Sequence, residues 1–444
     1  MKTKFFAAFL FLVSVMTAQE NLLKSGPMVG YSQMREVALW VQTTKPAKVK
    51  IAYWEEGKIS NKIFTAEIQT EKSKAFTAHL IADNVEPGRK YEYELYINDK
   101  LVRRNYPLRF QTQILWQWRS DPPSFSFVTG SGAYINEPEY DRAGKPYGGE
   151  YEIYKNIYDS KPDFMVWIGD NVYLREADYY SKTGILKRYT YQWSKEFLQS
   201  LWGSVHHYAI WDDHDFGPNN SNRSYAQKEL TLEAFKMFWS NPSYGINGKP
   251  GTTSYFEWAD CEFYLLDNRY YRSPENRKFN ERKILGDEQV EWLIDALTNS
   301  KAPFKFIVMG GQFLSTSPYS ENYSNYKDEQ QKILDLIAKE KIEGVIFLSG
   351  DRHFTELSKL ERQGSYPIYD FTISPFSSGY YNGEGEPNSL RVPGTFVAKR
   401  NYAKITVDGK RNDRTLTCIV YDKDGKEVWQ YKIHENALKE IDKK

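Results

Sequence analysis

Residues 163–170 read Asp-Phe-Met-Val-Trp-Ile-Gly-Asp, residues 206–215 read His-His-Tyr-Ala-Ile-Trp-Asp-Asp-His-Asp, and residues 344–351 read Gly-Val-Ile-Phe-Leu-Ser-Gly-Asp. Each is an apolar run that stops abruptly at carboxylates. Such a run predicts a buried strand whose end carries polar chemistry. Two further runs, 125–130 (FSFVTG) and 305–311 (KFIVMGG), have the same texture. Between them, helical spacing appears over 152–158, 186–201, 228–239, 288–297 and 329–340. Apolar strands alternating with helices predict a layered α/β core. The tail runs YAKITVD, TLTCIVYD and EVWQYKI return to strand and are expected to complete a sheet edge. The segment from Tyr366 to Val397 is rich in Gly, Pro, Ser and Tyr and is read as a substrate-facing flap.

Upstream the texture differs. From about Leu22 to Gln113, EVALWVQTT, AKVKIAYWE, AFTAHLIADN and KYEYELYIND alternate or run in β-branched and aromatic residues, separated by Lys, Gly, Asn and Asp turns. The stretch Val85-Glu86-Pro87-Gly88-Arg89-Lys90-Tyr91 has the turn-then-tyrosine form of a fibronectin-type sandwich. Residues 20–116 are therefore expected to form an immunoglobulin-like β-sandwich domain. A linker at 117–123 would join it to a second domain at 124–434. Residues 1–19 have a basic start at Lys2 and Lys4, an apolar stretch from Phe5 to Val15, and small residues before Glu20. That order is an export signal. The protein is expected to be exported (periplasmic, outer-surface or secreted), with no transmembrane anchor after cleavage.

The chain has 444 residues, and Lys+Arg at 59 against Asp+Glu at 58 leaves a net charge of +1. No global field for nucleic acid results, so nucleic-acid binding is not expected. Cys261 and Cys418 lack the paired spacing of a zinc ribbon and read as buried free thiols ahead of a disulfide.

The chemistry lies at the strand ends. The first carries Asp170 and Tyr173. The second carries Asp212, Asp213, His214, Asp215, Asn219 and Asn220. The third carries Asp351 and His353. Residues just past strand carboxyl ends converge on one crevice in a layered α/β core. Asp, Asn, Tyr and His gathered there suit hard or borderline metal ions. Three carboxylates within Asp212–Asp215 repel one another unless a cation or a network holds them.

Gly169-Asp170-x-x-Tyr173, then Asp212-Asp213-His214-Asp215 with Asn219, then Ser349-Gly350-Asp351-x-His353 resembles the PhoD-like alkaline phosphatases, which are calcineurin-like metallophosphoesterases. The resemblance spans about residues 25–433. It implies a metallophosphoesterase core of two sheets flanked by helices. It also implies cleavage of phosphate mono- or diesters, including phospholipids or polymer phosphodiesters. The cofactors implied are two or more metal ions, calcium with iron, with manganese or zinc as alternatives. Carried over residue by residue, Asp170 bridges the ions and Tyr173 binds iron as a phenolate. Asn219 (or Asn220, one residue further) binds the second ion, and Asp351 and His353 complete the shell. His214 and Asp213 lie beside the substrate phosphate, and Arg269 holds a phosphate oxygen or makes a structural ion pair.

The mechanism implied is in-line attack by a metal-bound hydroxide. One departure stands out. Gly132 occupies the position of the family's usual cysteine iron ligand, and glycine cannot ligate. It keeps open a non-catalytic or weakly active exported binding protein as the alternative. A cysteine restored at Gly132 is expected to raise iron occupancy.

Overall fold

The computed structural model describes residues 22–319 and 321–440. Among these, nine strands form one sheet. In spatial order they are Glu427–His434, Asp413–Asp422, Asn401–Lys410, Phe125–Gly130, Phe164–Ile168, His206–Ile210, Leu23–Ser32, Val37–Thr43 and Thr77–Ala82. A second sheet runs Ser254–Trp258, Cys261–Leu265, Lys305–Val308, Val345–Ser349, Ile368–Thr372 and Glu356–Leu360. The central strands of each are parallel, which places their carboxyl ends on the same side.

The two sheets stack through aromatic side chains. Phe127 meets Phe263 and Phe306 edge-on at 5.2 and 5.4 Å, and Tyr208 stacks on Phe256 at 3.6 Å. On its other face the first sheet turns Met165, Trp167 and Ala209 toward the helices Glu152–Asp159, Lys182–Trp193, Glu196–Ser204 and Lys228–Phe238. Asp287–Asn299 and Lys327–Lys339 send Val290, Leu293, Ile333 and Ile337 into the cluster of the second sheet. Burial on both faces explains why these strands are apolar throughout rather than alternating.

The helix expected over 186–201 is two helices, broken at Ser194 and Lys195. Gln199 donates from Nε2 to the carbonyls of Trp193 and Lys195, and the Ser25 hydroxyl also reaches the Trp193 carbonyl. Those side chains satisfy helix-end carbonyls that propensity alone would have carried onward. The segment from Tyr366 to Val397 is a buried strand, Ile368–Thr372, followed by a loop that returns to the strand ends.

Residues 23–111 form two facing layers, and the Glu86 N–H donates to the Tyr91 hydroxyl at 2.7 Å, the tyrosine-corner contact. Contacts beyond residues 117–123 also join this region to the rest of the chain. Leu23–Ser32 pairs in parallel with His206–Ile210, with Val29 opposite His206, so one layer of the sandwich extends the nine-stranded sheet. Trp40 and Tyr93 donate across to the carbonyls of Met237 and Gly203 at 2.7 and 2.9 Å. Covering the edge of His206–Ile210 removes an open row of backbone donors and acceptors. Both cysteines are buried free thiols. The expected export signal, residues 1–19, lies outside the described residues. Among the described residues no helix is long and apolar enough to cross a membrane.

Candidate active site

The segments that follow the strands Phe125–Gly130, Phe164–Ile168, His206–Ile210, Lys305–Val308 and Val345–Ser349 meet in one place. Backbone geometry there is tight. A Cβ on Gly169 would sit 2.5 Å from the Asp212 Cβ, and one on Gly310 would sit 2.3 Å from the Asp212 Cγ. Only glycine lets the neighbouring turns close on Asp212 in this way. Asp170, Asp351 and His353 have φ of 53°, 65° and 54°, a region that side chains other than Asn, Asp or Gly rarely adopt. Strained backbone of this kind concentrates at functional sites.

Two overlapping donor sets result. Asp170, Asp213 and His214 place ligating atoms within 4.8 Å of one another, and so do Asp212, Asp213 and Asp351. Asp213 belongs to both. The Tyr173 hydroxyl donates to Asp170 Oδ2 at 2.9 Å and lies 3.1 Å from His353 Nε2, itself 3.8 Å from Asp170 Oδ2. His214 stacks on Tyr173 with ring centroids 4.2 Å apart. Asp215, the last acid of the run, has a different task. It accepts the backbone N–H groups of Asp212, Asn171 and Val172 and so ties two strand-end loops together.

The donor set fits cations. Asp170 Oδ1, Asp212 Oδ2, Asp213 Oδ1 and Asn268 Oδ1 are buried without a hydrogen-bond partner. Buried polar atoms are ordinarily paired, and carboxylates this close repel unless charge is supplied between them. Burial, reinforced by Asp212, Glu321 and Asp213, pushes the Asp351 carboxyl well above its usual range. Burial also raises Asp212 against the pull of Arg269, with Asp213 and Asp170 adding to the rise. Burial works in the same direction on Asp170, but the His214 and His353 imidazoles and the Tyr173 hydroxyl overcome it and hold that carboxyl low.

The structure brings together Asp170, Tyr173, Asp213, His214, Asp351 and His353. Asn219 lies at the rim of this group: its exposed side chain donates to Asn220 Oδ1 at 2.7 Å, and the Asn220 backbone N–H donates to Asp213 Oδ2 at 2.6 Å. An amide that reaches the carboxylates is Asn268, which donates to Asp212 Oδ1 at 2.6 Å. Its signal was readable: CEFYLLDN is another apolar run stopping at Asp and Asn. Arg269 is fully buried, paired with Asp212 and Glu321, 3.9 Å from Asp213, and donates to the Ser221 carbonyl. Its contacts are those of a structural ion pair beside Asp212. Glu321 had no sequence signal, because it arrives from a loop.

Position 132 is crowded. Gly132 has φ +75°, and a Cβ there would lie 2.9 Å from both Pro375 Cβ and Ser378 Oγ. A side chain there would require Pro375 and Ser378 to shift, which weighs against a cysteine ligand at this position. The Ser131 hydroxyl is engaged by the Ile373 carbonyl instead. The space is taken by the 375–379 loop, whose Ser377 and Ser378 N–H groups donate to the Gly132 carbonyl. That loop steers His353. The ring Nδ1 lies 2.5 Å from the Gly379 carbonyl, 2.8 Å from the Tyr147 hydroxyl and 3.3 Å from Ser378 Oγ, leaving Nε2 toward Asp170. Contacts of this kind orient ligating histidines.

Comparisons with known proteins agree with this geometry. The family described as PhoD-like phosphatase matches residues 131–415, and a domain of unknown function, DUF7800, matches residues 20–114. Alkaline phosphatase D of Bacillus subtilis (strain 168) is 24% identical over 338 residues, covering 65% of this chain and 55% of that protein. The chain thus spans about half the length of this curated relative. A solved structure of PhoD superposes with a TM-score of 0.75 at 17% identity, covering 94% of this chain and 92% of that one. The purple acid phosphatase PPD1 from yellow lupin (Lupinus luteus) seeds gives a TM-score of 0.65 at 12% identity, covering 93% of this chain and 75% of that one. These two structural likenesses show a shared fold.

Proposed function

Because this chain belongs to the PhoD-like phosphatase family, we propose that it hydrolyses phosphate esters with the aid of cations held by Asp170, Asp212, Asp213, Asp351 and His353, with Tyr173 and Asn268 beside them. The observation that carries the reading is the set of buried carboxylate oxygens without partners, aimed at one another from separate strand ends. Cations bound there would activate a water for attack on phosphorus and offset charge on the phosphate oxygens.

The protein's own groups do the rest. Asp213 is shared by both donor sets, which favours it as a bridging carboxylate alongside Asp170. His214 is the partly exposed imidazole at the edge of the pocket, its side chain 20% accessible, and it stands where it can pass a proton to a departing oxygen. Tyr173 fixes Asp170 and His353 relative to each other. Arg269 stays behind Asp212 and keeps that carboxylate turned into the pocket. Calcium, manganese, iron or zinc are the cations to test, and oxygen and imidazole donors favour the harder ones. Residues 1–19 support export of the mature protein.

The test is release of p-nitrophenol from p-nitrophenyl phosphate and bis(p-nitrophenyl) phosphate by purified protein, before and after chelation, with cation content measured in parallel. We expect hydrolysis that chelation abolishes and one cation restores. Turnover undiminished in a protein stripped of cations would overturn the reading.

A further inference from the structure

A cleft of about 560 Å³ lies beside the carboxylates, lined by Tyr134, Tyr147, Tyr179 and Lys145 and by Tyr173 and His214, of which Tyr173 donates to Asp170 at 2.9 Å. It is larger than a phosphate group needs and falls in the range of sites for small organic ligands. The walls are aromatic. Tyr134 meets Tyr147 edge-on at 5.0 Å and lies 5.0 Å from Tyr173, so several rings line one channel. The charges along it nearly cancel. Arg175 pairs with Asp141 at 2.8 Å and lies over the Tyr134 ring, and Arg142 pairs with Glu176 at 2.9 Å. Lys145 makes no ion pair among the described residues and remains as the uncompensated cation of the wall. Asn219 lines the same cleft with an exposed amide.

We propose that this cleft is a leaving-group subsite for a planar aromatic group that carries a negative charge. The inference rests on the phosphate-ester reading above. A group attached to phosphorus at Asp170 and Asp213 and leaving past His214 enters this channel. Ring faces favour a flat aromatic over a puckered aliphatic group. The unpaired ammonium of Lys145 favours an anionic substituent on that ring over a neutral one.

Non-hydrolysable phosphonates separate the contributions. Calorimetric titration of the cation-loaded protein would use methyl-, cyclohexyl-, phenyl- and 3-carboxyphenylphosphonate. We expect phenyl to bind about 2- to 10-fold tighter than cyclohexyl, and 3-carboxyphenyl about 2- to 5-fold tighter than phenyl. Lys145→Ala should bring the ratio between the last two to about one, and Lys145→Glu should invert it. If methylphosphonate binds but neither the ring nor the carboxylate adds affinity, the subsite proposal fails and the phosphate-ester reading stands. If methylphosphonate and inorganic phosphate do not bind and no ester is cleaved, the phosphate-ester reading fails with it.

Discussion

Two buried clusters of acids lie near each other in this molecule and are built on opposite terms. Beneath the cleft, Arg188 donates to Asp178 at 2.8 Å and to Glu137 at 2.6 Å, while Arg175 holds Asp141 at 2.8 Å. Each acid there has a guanidinium. At the strand ends, Asp170, Asp212, Asp213 and Asp351 gather with several oxygens unpartnered and a single buried arginine behind them. The first cluster is complete as the chain folds. The second becomes neutral only when something positive enters. Acids in a sequence therefore say little about binding until their partners are counted.

The largest expected effect tests that contrast directly. Asp213→Asn should lower turnover by more than roughly 100-fold, since even outer contacts to a metal site are worth about 10- to 100-fold. Cation counting by mass spectrometry sharpens the assignment. A bridging acid removes both ions when it is changed, whereas Asp170→Asn removing one and Asp213→Asn removing both would give the shared place to Asp213 alone. In the complete cluster, Arg188→Met should cost about 3–5 kcal/mol of stability by leaving Asp178 and Glu137 uncompensated, with cation stoichiometry unchanged; denaturant unfolding measures the first and mass spectrometry the second. A loss of cations in Arg188→Met would break the contrast.

Acid gives a smaller, signed effect. The carboxyls of Asp212 and Asp351 are raised in the folded protein, so the fold binds their protons before the unfolded chain does. The cation-free protein should thus gain stability from these groups as pH falls from neutral toward about 4, while the cation-loaded protein gains none of it. His206 and His207 act in reverse. Burial holds them down to about 4 and about 3, so their contribution is full above about 6.5 and is lost as pH falls below it. That loss is common to both states and cancels when the melting temperatures of loaded and stripped protein are subtracted. A difference flat with pH would refute the raised carboxyls. The mildest probe is Gly132→Cys, expected to destabilise by about 1–3 kcal/mol through crowding against Pro375 and Ser378, without raising iron content.

Much of the site was legible because burial on both faces forces an apolar run, and its abrupt end at Asp170, Asp212 or Asp351 marks where the strand meets the pocket. The strands 125–130, 163–170, 206–215, 305–311 and 344–351 could be read on that basis. The break at Ser194 could not, because it depends on Ser25 and Gln199, which meet it only in the folded chain. The direction of the Asn219 side chain was not legible, because proximity in sequence to His214 does not set it. Tyr147, Ser378 and Glu321 reach the site from loops, where no periodicity reports direction. The joined sheet escaped for a similar reason: a parallel pairing between Val29 and His206 leaves no local trace in either segment.

That pairing has a consequence for how the chain is made. During synthesis from the amino end, the strand Leu23–Ser32 emerges early, yet its parallel neighbour His206–Ile210 follows only after most of two hundred residues. Until then the nascent sandwich carries a bare hydrogen-bonding border, open to mispairing. A fragment stopped near residue 116 would keep that border permanently, so it should self-associate as an isolated piece, whereas the whole chain hides it within itself.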